Sequence, residues 1–306
     1  MLGGKLTARL RNDPTIGSEP VTALELFDIG PVPTGGPAET ATVGDLADDG
    51  VAERLIARRP DLVFHLAGVV SGEAEADFEK GNRVNLEGTR ALFDAIRRSD
   101  STPRVVFTSS IAVFGAPMPE VIGDEFHRTP LTSYGTQKLI GEALLADYSR
   151  RGFLDGVGVR LPTITVRPGA PNAAASGFFS GIIREPLNGI EALLPVPGTV
   201  RHPHASPRSA IGFLLRAATI DTAELGARRN LTMPSVSVTV DEQIDSLRRI
   251  AGSVAADLIR HADDPDVATI VAGWPQAFDA RRARSLGFTC ETSFDEIIEA
   301  YIDDEL

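Results

Sequence analysis

The chain has 306 residues, 42% of them hydrophobic, with 42 acidic against 30 basic side chains and a net charge of −12. That excess of acid argues against a general surface for nucleic acid or anionic membrane, whose phosphates it would repel. No run approaches the ~18 apolar residues of a membrane span, and the first residues lack the basic-then-apolar layout of a signal peptide. The single cysteine, Cys290, allows no internal disulfide and fits a reducing, cytoplasmic compartment. Flanked by FT and ET, it is expected to be a packing residue rather than a nucleophile.

Strand-length apolar runs alternate with helical patterns. VTALELF (21–27) reads as a strand, VAERLIARR (51–59) as a helix and DLVFHLAG (61–68) as a strand and turn. VNLEGTRALFDAIRRS (84–99) reads as a helix, RVVFTSS (104–110) as a strand, SYGTQKLIGEALLADYSRR (133–151) as a long helix and VGVRLPTITV (157–166) as a strand. Short, nearly all-apolar strands between helices predict a doubly wound parallel sheet covered on both faces, with ligands beyond the carboxyl ends of the strands. After Arg167 the texture changes. RPGAPNAAASGFFSG reads as loop, SVTVDEQIDSLRRIAG (237–252) as a strand leading into a helix, and DDPDVATIVAG and SFDEIIEAYIDDEL as helices. The expected organisation is a Rossmann-type dinucleotide-binding part over 1–166, joined by 201–232, and a smaller, mostly helical substrate part over 167–200 and 233–306. No residue cluster suggests a metal.

Three strand ends carry polar residues that a core would not select. Asp28 follows VTALELF at the position that accepts hydrogen bonds from an adenine-ribose hydroxyl, which favours NAD over NADP. Ser109 and Ser110 end the strand FTSS. Tyr134 and Lys138 stand at i and i+4 on the long helix and share one face. Tyrosine occurs only three times and lysine only at 5, 80 and 138, so such a pair arises by chance about 0.03 times per chain. A lysine ammonium one turn from a tyrosine favours the phenolate and is expected to lower its pKa from ~10. A serine hydroxyl can then hold a substrate oxygen while Tyr134 takes its proton and a nicotinamide accepts the hydride.

These residues, with HLAGVVSGEAEADF, VNLEGT, FTSSIAVFG, SYGTQK, VRLPTITVRPG and DARRARSLGF, resemble the extended short-chain dehydrogenase/reductases in their NAD-dependent epimerase/dehydratase branch, over nearly the whole chain. The resemblance implies Ser110, Tyr134 and Lys138 as the catalytic set. It implies that Gly3, Asp28, Asp45, Leu46, Leu66, Ala67, Gly68 and Asn85 line the dinucleotide together with Tyr134 and Lys138, with Pro162 and Thr163 near the nicotinamide. It also implies a homodimer built on the helices of residues 84–99 and 134–151. In this family the first strand ends in Gly-x-x-Gly-x-x-Gly. By helix register Gly3 is the third glycine. The strand and the first two glycines are therefore expected before Met1, and the 306-residue form is expected to bind NAD poorly.

Dehydratases of the family carry an Asp-Glu pair after the strand-end hydroxyl, where this chain has Ile111 and Ala112. Nucleotide-sugar epimerases carry an Arg-Asp-aromatic stretch, where this chain has VRHPHASPRSA. Arg201 is kept, but His202 replaces the acid and His204 follows. An arginine grips a carboxylate as well as a phosphate. The RHPHASP stretch, with FLDGVGVRLPTITVRPG and ASGFFSGIIREP, resembles the D-erythronate dehydrogenase group. That implies NAD-dependent oxidation of a small 2-hydroxy sugar acid to the 2-keto acid. Arg201 is then expected to hold the substrate carboxylate, with Asn172 and His204 beside it, whereas Arg184 is expected on a solvated face. The alternatives are a nucleotide-sugar epimerase of the same fold and a dinucleotide-binding protein without catalysis.

Overall fold

A computed structural model describes residues 1–36, 38–169 and 176–306. The chain opens with helix α1 (Leu2–Asn12), then strands β1 (Leu24–Asp28) and β2 (Glu39–Val43), helix α2 (Val51–Ile56) and strand β3 (Leu62–His65). Helix α3 (Gly88–Arg98), strand β4 (Arg104–Ser110), helix α4 (Ser133–Arg150) and strand β5 (Asp155–Leu161) follow. Beyond Pro162 come β6 (Thr163–Ile164), α5 (Gly177–Leu187), β7 (Arg201–Ala205), α6 (Pro207–Thr219), β8 (Asn230–Thr232), β9 (Val236–Thr239), α7 (Val240–Ala251) and α8 (Phe294–Glu305).

Four strands form a parallel ladder in the order β8-β5-β4-β3. Successive side chains of β4 point to opposite faces. Val106 joins Leu6, Leu10, Val157, Val159, Phe213 and Leu214 in one buried layer, and Val105 and Phe107 join Ala52, Ile56, Leu92, Phe93, Ile96 and Leu145 in the other. β1 and β2 form a separate parallel pair. Leu24 and Phe27 of β1 pack on these two layers, as do Leu62 and Val63 of β3. β1 and β3 therefore border the same two layers, yet among the described residues no ladder joins them.

A third core lies in the C-terminal half, where Phe179, Ile182 and Ile183 of α5 meet Leu247 of α7 and Ile297, Ile298 and Tyr301 of α8. Several expectations are corrected here. GFFSG is not loop, because Gly177 opens α5. Arg184 is not on a solvated face, since only 8% of its surface is exposed. The C-terminal half is mostly helical, as expected, with short strands between its helices. It carries the three-stranded β9-β7-β6 ladder, and two parallel pairs involve its strands Ala192–Leu194 with Ile259–His261 and Ala277–Asp279 with Val121–Gly123. Short strands flanked by Pro and Gly carry too little periodicity to be read in advance. The expected strand 157–166 breaks at Pro162, which cannot donate to a ladder, and the expected helix at 84 begins as a π-helical turn, Asn82–Glu87. Among the described residues no helix is long and apolar enough to cross a membrane.

Candidate active site

The site forms where β4 ends and α4 begins. Thr132 caps α4, its hydroxyl accepting from the Gly135 N–H at 3.0 Å. Two glycines let this helix press against β4. A Cβ on Gly135 would stand 2.1 Å from the Ala112 carbonyl oxygen, and one on Gly141 would stand 2.6 Å from the Phe107 ring. That approach brings the Tyr134 and Lys138 face of α4 onto the strand end carrying Ser110. The Lys138 Nζ lies 5.7 Å from the Tyr134 ring centroid and 5.2 Å from that of Phe107, and it donates to the Thr108 carbonyl at 2.9 Å.

Burial sets the electrostatics. Lys138 is 4% exposed, and loss of water pulls its pKa down to about 8. The expected lowering of the tyrosine pKa is not seen. Burial raises it, and the Ser110 hydroxyl beside the phenol draws it partly back. The lysine has turned its ammonium toward a carbonyl rather than the phenol, so desolvation outweighs charge attraction.

Around this trio lies a polar scaffold that includes the expected Asn85 and Gly68 and in which the sequence reading left out Gln137, Glu142 and Arg160. Asn85 is 1% exposed. Its side-chain oxygen accepts from the Val69 N–H at 3.0 Å and its amide donates to Gln137 at 2.8 Å, which fixes the turn after β3 against α4. Gly68 is required there, since a Cβ would meet Asn85 Oδ1 at 3.0 Å and Lys138 Nζ at 3.4 Å. One turn beyond Lys138, Glu142 grips Arg160 of β5 and accepts from Ser109. Glu142 falls at i+8 from Tyr134, on the same helix face, and that register was the available signal.

Most residues expected to line a cofactor fall on the carboxyl-end rim. Asp28 ends β1 and is exposed, with one oxygen held by the Gly30 N–H at 3.1 Å. Leu66, Ala67 and Gly68 follow β3, and Ala67 and Gly68 are exposed. Leu46 is buried, and half-buried Asp45 accepts from the Ala47 N–H at 2.9 Å and from Arg83 at 3.1 Å. Gly3 sits exposed in the first turn of α1, where a Cβ would meet only Leu66 Cδ1, at 3.9 Å. That turn has no side-chain cap and no acid, so its free N–H groups and positive end suit a diphosphate. These residues fit a dinucleotide lying along the rim. Pro162 and Thr163 follow β5, whose last residue, Leu161, pairs with Ser110.

The expected substrate residues separate. Arg201 donates to the Ser237 carbonyl at 2.9 Å and pairs with Glu242 at 3.1 Å. Glu242 is also the return arm of the Thr239 capping box of α7, so this guanidinium is committed to structure. His204 is wholly buried. It hydrogen-bonds Thr165 and Gln243 at 3.1 Å each and packs edge-on to Phe179 and Phe294. His202 stacks on Phe179 at 4.9 Å between ring centroids and bonds the Thr163 hydroxyl at 2.7 Å. Neither imidazole is a surface group awaiting a substrate. Asn172 lies outside the described residues. Cys290 is half-buried, and burial raises its thiol to about 11, which fits a packing residue.

Comparison with known proteins agrees with this geometry. The family model described as the NAD dependent epimerase/dehydratase family matches residues 2–219. A D-erythronate dehydrogenase of Cupriavidus necator is 50% identical over 85% of this chain and 81% of its own length. A D-erythronate dehydrogenase of Haemophilus influenzae is 39% identical over 82% and 80%. The crystal structure of a nucleoside-diphosphate-sugar epimerase from Agrobacterium tumefaciens is 58% identical and superposes with a TM-score of 0.96, covering 99% of this chain and 91% of that one. An L-threonine dehydrogenase from Clostridium difficile shares the fold alone, at 21% identity and a TM-score of 0.85. The chain thus belongs to the NAD dependent epimerase/dehydratase family and has its Rossmann-type sheet.

Proposed function

We propose that this protein oxidises the C2 hydroxyl of a small sugar acid of the D-erythronate type to the 2-keto acid. NAD, when bound, supplies the acceptor for the hydrogen that leaves carbon as hydride. The observation that carries the reading is the meeting of Ser110, Tyr134 and Lys138 at one strand end, in a chain whose curated relatives act as D-erythronate dehydrogenases. Ser110 orients the substrate hydroxyl and draws the Tyr134 pKa partly back, Tyr134 takes the proton, and Lys138, held by the Thr108 carbonyl, places a positive charge 5.7 Å from the Tyr134 ring. Residues 1–166 with 201–232 hold the dinucleotide, and 167–200 with 233–306 cover the substrate.

The likeness to the Agrobacterium protein favours a second reading, an epimerase of nucleoside-diphosphate sugars. Incubation with NAD and a panel of sugar acids and nucleotide sugars separates the two. Net NADH from a four-carbon acid is the expected result. An epimerase returns its hydride and accumulates no NADH, so isomerised nucleotide sugar without NADH would overturn the first reading.

We also propose a homodimer. Phe78, Leu131 and Ile140 are 58%, 67% and 38% exposed and border one groove beside α4. An apolar surface of this kind on the α4 face suits a second copy.

A further inference from the structure

We propose that Arg167 receives the substrate carboxylate, in place of Arg201. The inference rests on the acid-oxidising reading above and names the group that makes the site select an acid.

Arg167 follows β6 by three residues, six beyond Leu161, whose strand partner is Ser110. Six residues reach at most ~20 Å, so the chain holds Arg167 within about that distance of the strand end bearing Ser110, on the side where a parallel sheet binds its ligands. Its backbone is locked at both ends. The Arg167 N–H donates to Ser180 Oγ at 3.1 Å, and its carbonyl accepts from Arg184 Nη1 at 2.7 Å. The guanidinium is not locked. Among the described residues its one hydrogen bond is a long contact of 3.4 Å to the Ser176 hydroxyl, and no carboxylate lies within ion-pair distance.

The neighbouring stretch 170–175 reads APNAAA and contains no acid, so none can come from there. The contrast with comparable arginines is direct. Arg104, Arg160, Arg184, Arg201 and Arg229, each buried or half-buried, all meet a carboxylate, and half-buried Arg282 is held instead by the carbonyls of Leu225, Arg228 and Asn230, whereas the Arg167 guanidinium has neither among the described residues. Arg167 and the buried Arg184 stand close enough for their charges to repel, and Arg184 already takes Glu185, at 2.5 Å. The chain has 12 more acidic than basic side chains (42 − 30), yet of these two neighbouring guanidiniums only Arg184 has an acid. Burial and the Arg184 charge both push the Arg167 pKa down, the cost of a partly desolvated cation without a counter-ion. A small carboxylate would relieve it, because the guanidinium fork matches a carboxylate in two parallel hydrogen bonds.

The test uses the full chain with NAD and compares wild type, Arg167→Ala, Arg167→Lys and Arg201→Ala, with D-erythronate and the uncharged tetritol erythritol as substrates. Arg167→Ala is expected to raise KM for D-erythronate on the order of 10- to 100-fold, the loss of one charge-assisted pair. Its KM for erythritol and its Kd for NADH should stay within about threefold of wild type, since neither involves a carboxylate. Arg167→Lys, which keeps the charge and guards against misfolding, should fall between. Added guanidinium should partly restore Arg167→Ala, and Arg201→Ala should leave KM nearly unchanged. Calorimetric titration of D-erythronate into the NADH-loaded protein reads binding without turnover. Wild-type binding without oxidation, lost in Arg167→Ala, would sink the proposed reaction but keep this inference. Equal acid binding by wild type and Arg167→Ala, or a KM increase confined to Arg201→Ala, overturns the inference. So does a wild type that binds no acid at all.

Discussion

Glu142 of α4 and Arg160 of β5 form a two-pronged ion pair in the interior, with Nε and Nη2 each 2.7 Å from a carboxylate oxygen. Their side chains are 3% and 5% exposed. Ser109 adds a hydrogen bond to Glu142 at 2.6 Å, and Arg160 reaches Thr232 of β8 at 3.3 Å. The pair joins the helix that bears Tyr134 and Lys138 to three adjacent strands.

Removing one partner leaves a buried, unpaired charge, which costs ~3–5 kcal/mol. Glu142→Leu is therefore expected to lower unfolding free energy by about that amount in urea. The double variant Glu142→Leu with Arg160→Met should lose much less than the sum of the two single changes. Additive losses would show that the two side chains do not act as a unit.

The Lys138 pKa predicts a rise in stability with alkaline pH. Burial lowers the folded value to about 8, against ~10.4 in the unfolded chain. Between these values the unfolded state holds a proton that the folded state lacks, so raising pH favours folding, by at most ~1.4 kcal/mol per pH unit. The penalty is complete below about pH 8 and gone above ~10.4. Cys290 acts in the opposite direction, because its folded pKa is raised to about 11. The informative quantity is therefore the difference between wild type and Lys138→Met, in which the cysteine contribution cancels. That difference should tilt toward wild type from pH 8 to 10, and a flat difference would show that Lys138 titrates normally.

The meeting of Tyr134, Lys138 and Ser110 was readable because helical periodicity is local. Tyr134, Lys138 and Ser110 needed only an i,i+4 spacing and a strand end. The substrate half was not readable, because there function depends on which charges cancel in three dimensions. Arg201 looked like an anion site until Glu242, 41 residues later, proved to be its partner. Arg184 looked solvated until α5 turned it inward. His202 and His204 looked polar, but Phe179, Trp274 and Phe294 enclose them as packing rings. Ion pairing and burial over such separations leave no periodic trace in sequence.

Those imidazoles predict a steep acid transition. Burial lowers His65 and His202 to about 3 and His204 well below its ordinary value. Unfolded histidine takes up a proton near ~6.5. Below that pH the unfolded state binds protons that the folded state refuses, so stability falls as pH drops toward the folded values, by ~1.4 kcal/mol per unit for each ring. His202→Asn removes one such site. Its urea midpoint should be lower than that of wild type at pH 7 but should change less between pH 6 and 4.5. Parallel pH profiles for the two proteins would mean that the ring is protonated in the fold.

The phenol of Tyr134 is the group on which the proposed chemistry depends, and Tyr134→Phe isolates it. The substitution keeps the ring that lies 5.7 Å from the Lys138 ammonium and removes only the O–H beside Ser110. A positioned proton acceptor contributes ~10²–10⁴-fold in rate, so kcat for D-erythronate should fall by that order. Asp28 and Gly68, which are expected to line the dinucleotide, do not involve the phenol, and fluorescence titration should give an NADH affinity close to wild type. Ser110→Ala removes an orienting hydroxyl rather than the proton acceptor and should cost less than Tyr134→Phe. Because burial raises the Tyr134 pKa, the phenolate is scarce at neutral pH, and wild-type kcat/KM should increase with pH. Tyr134→Phe should lose that increase along with the rate. If the variant kept more than a tenth of the turnover, a value far outside the range for loss of a proton acceptor, proton removal would have to be assigned to another group or to water.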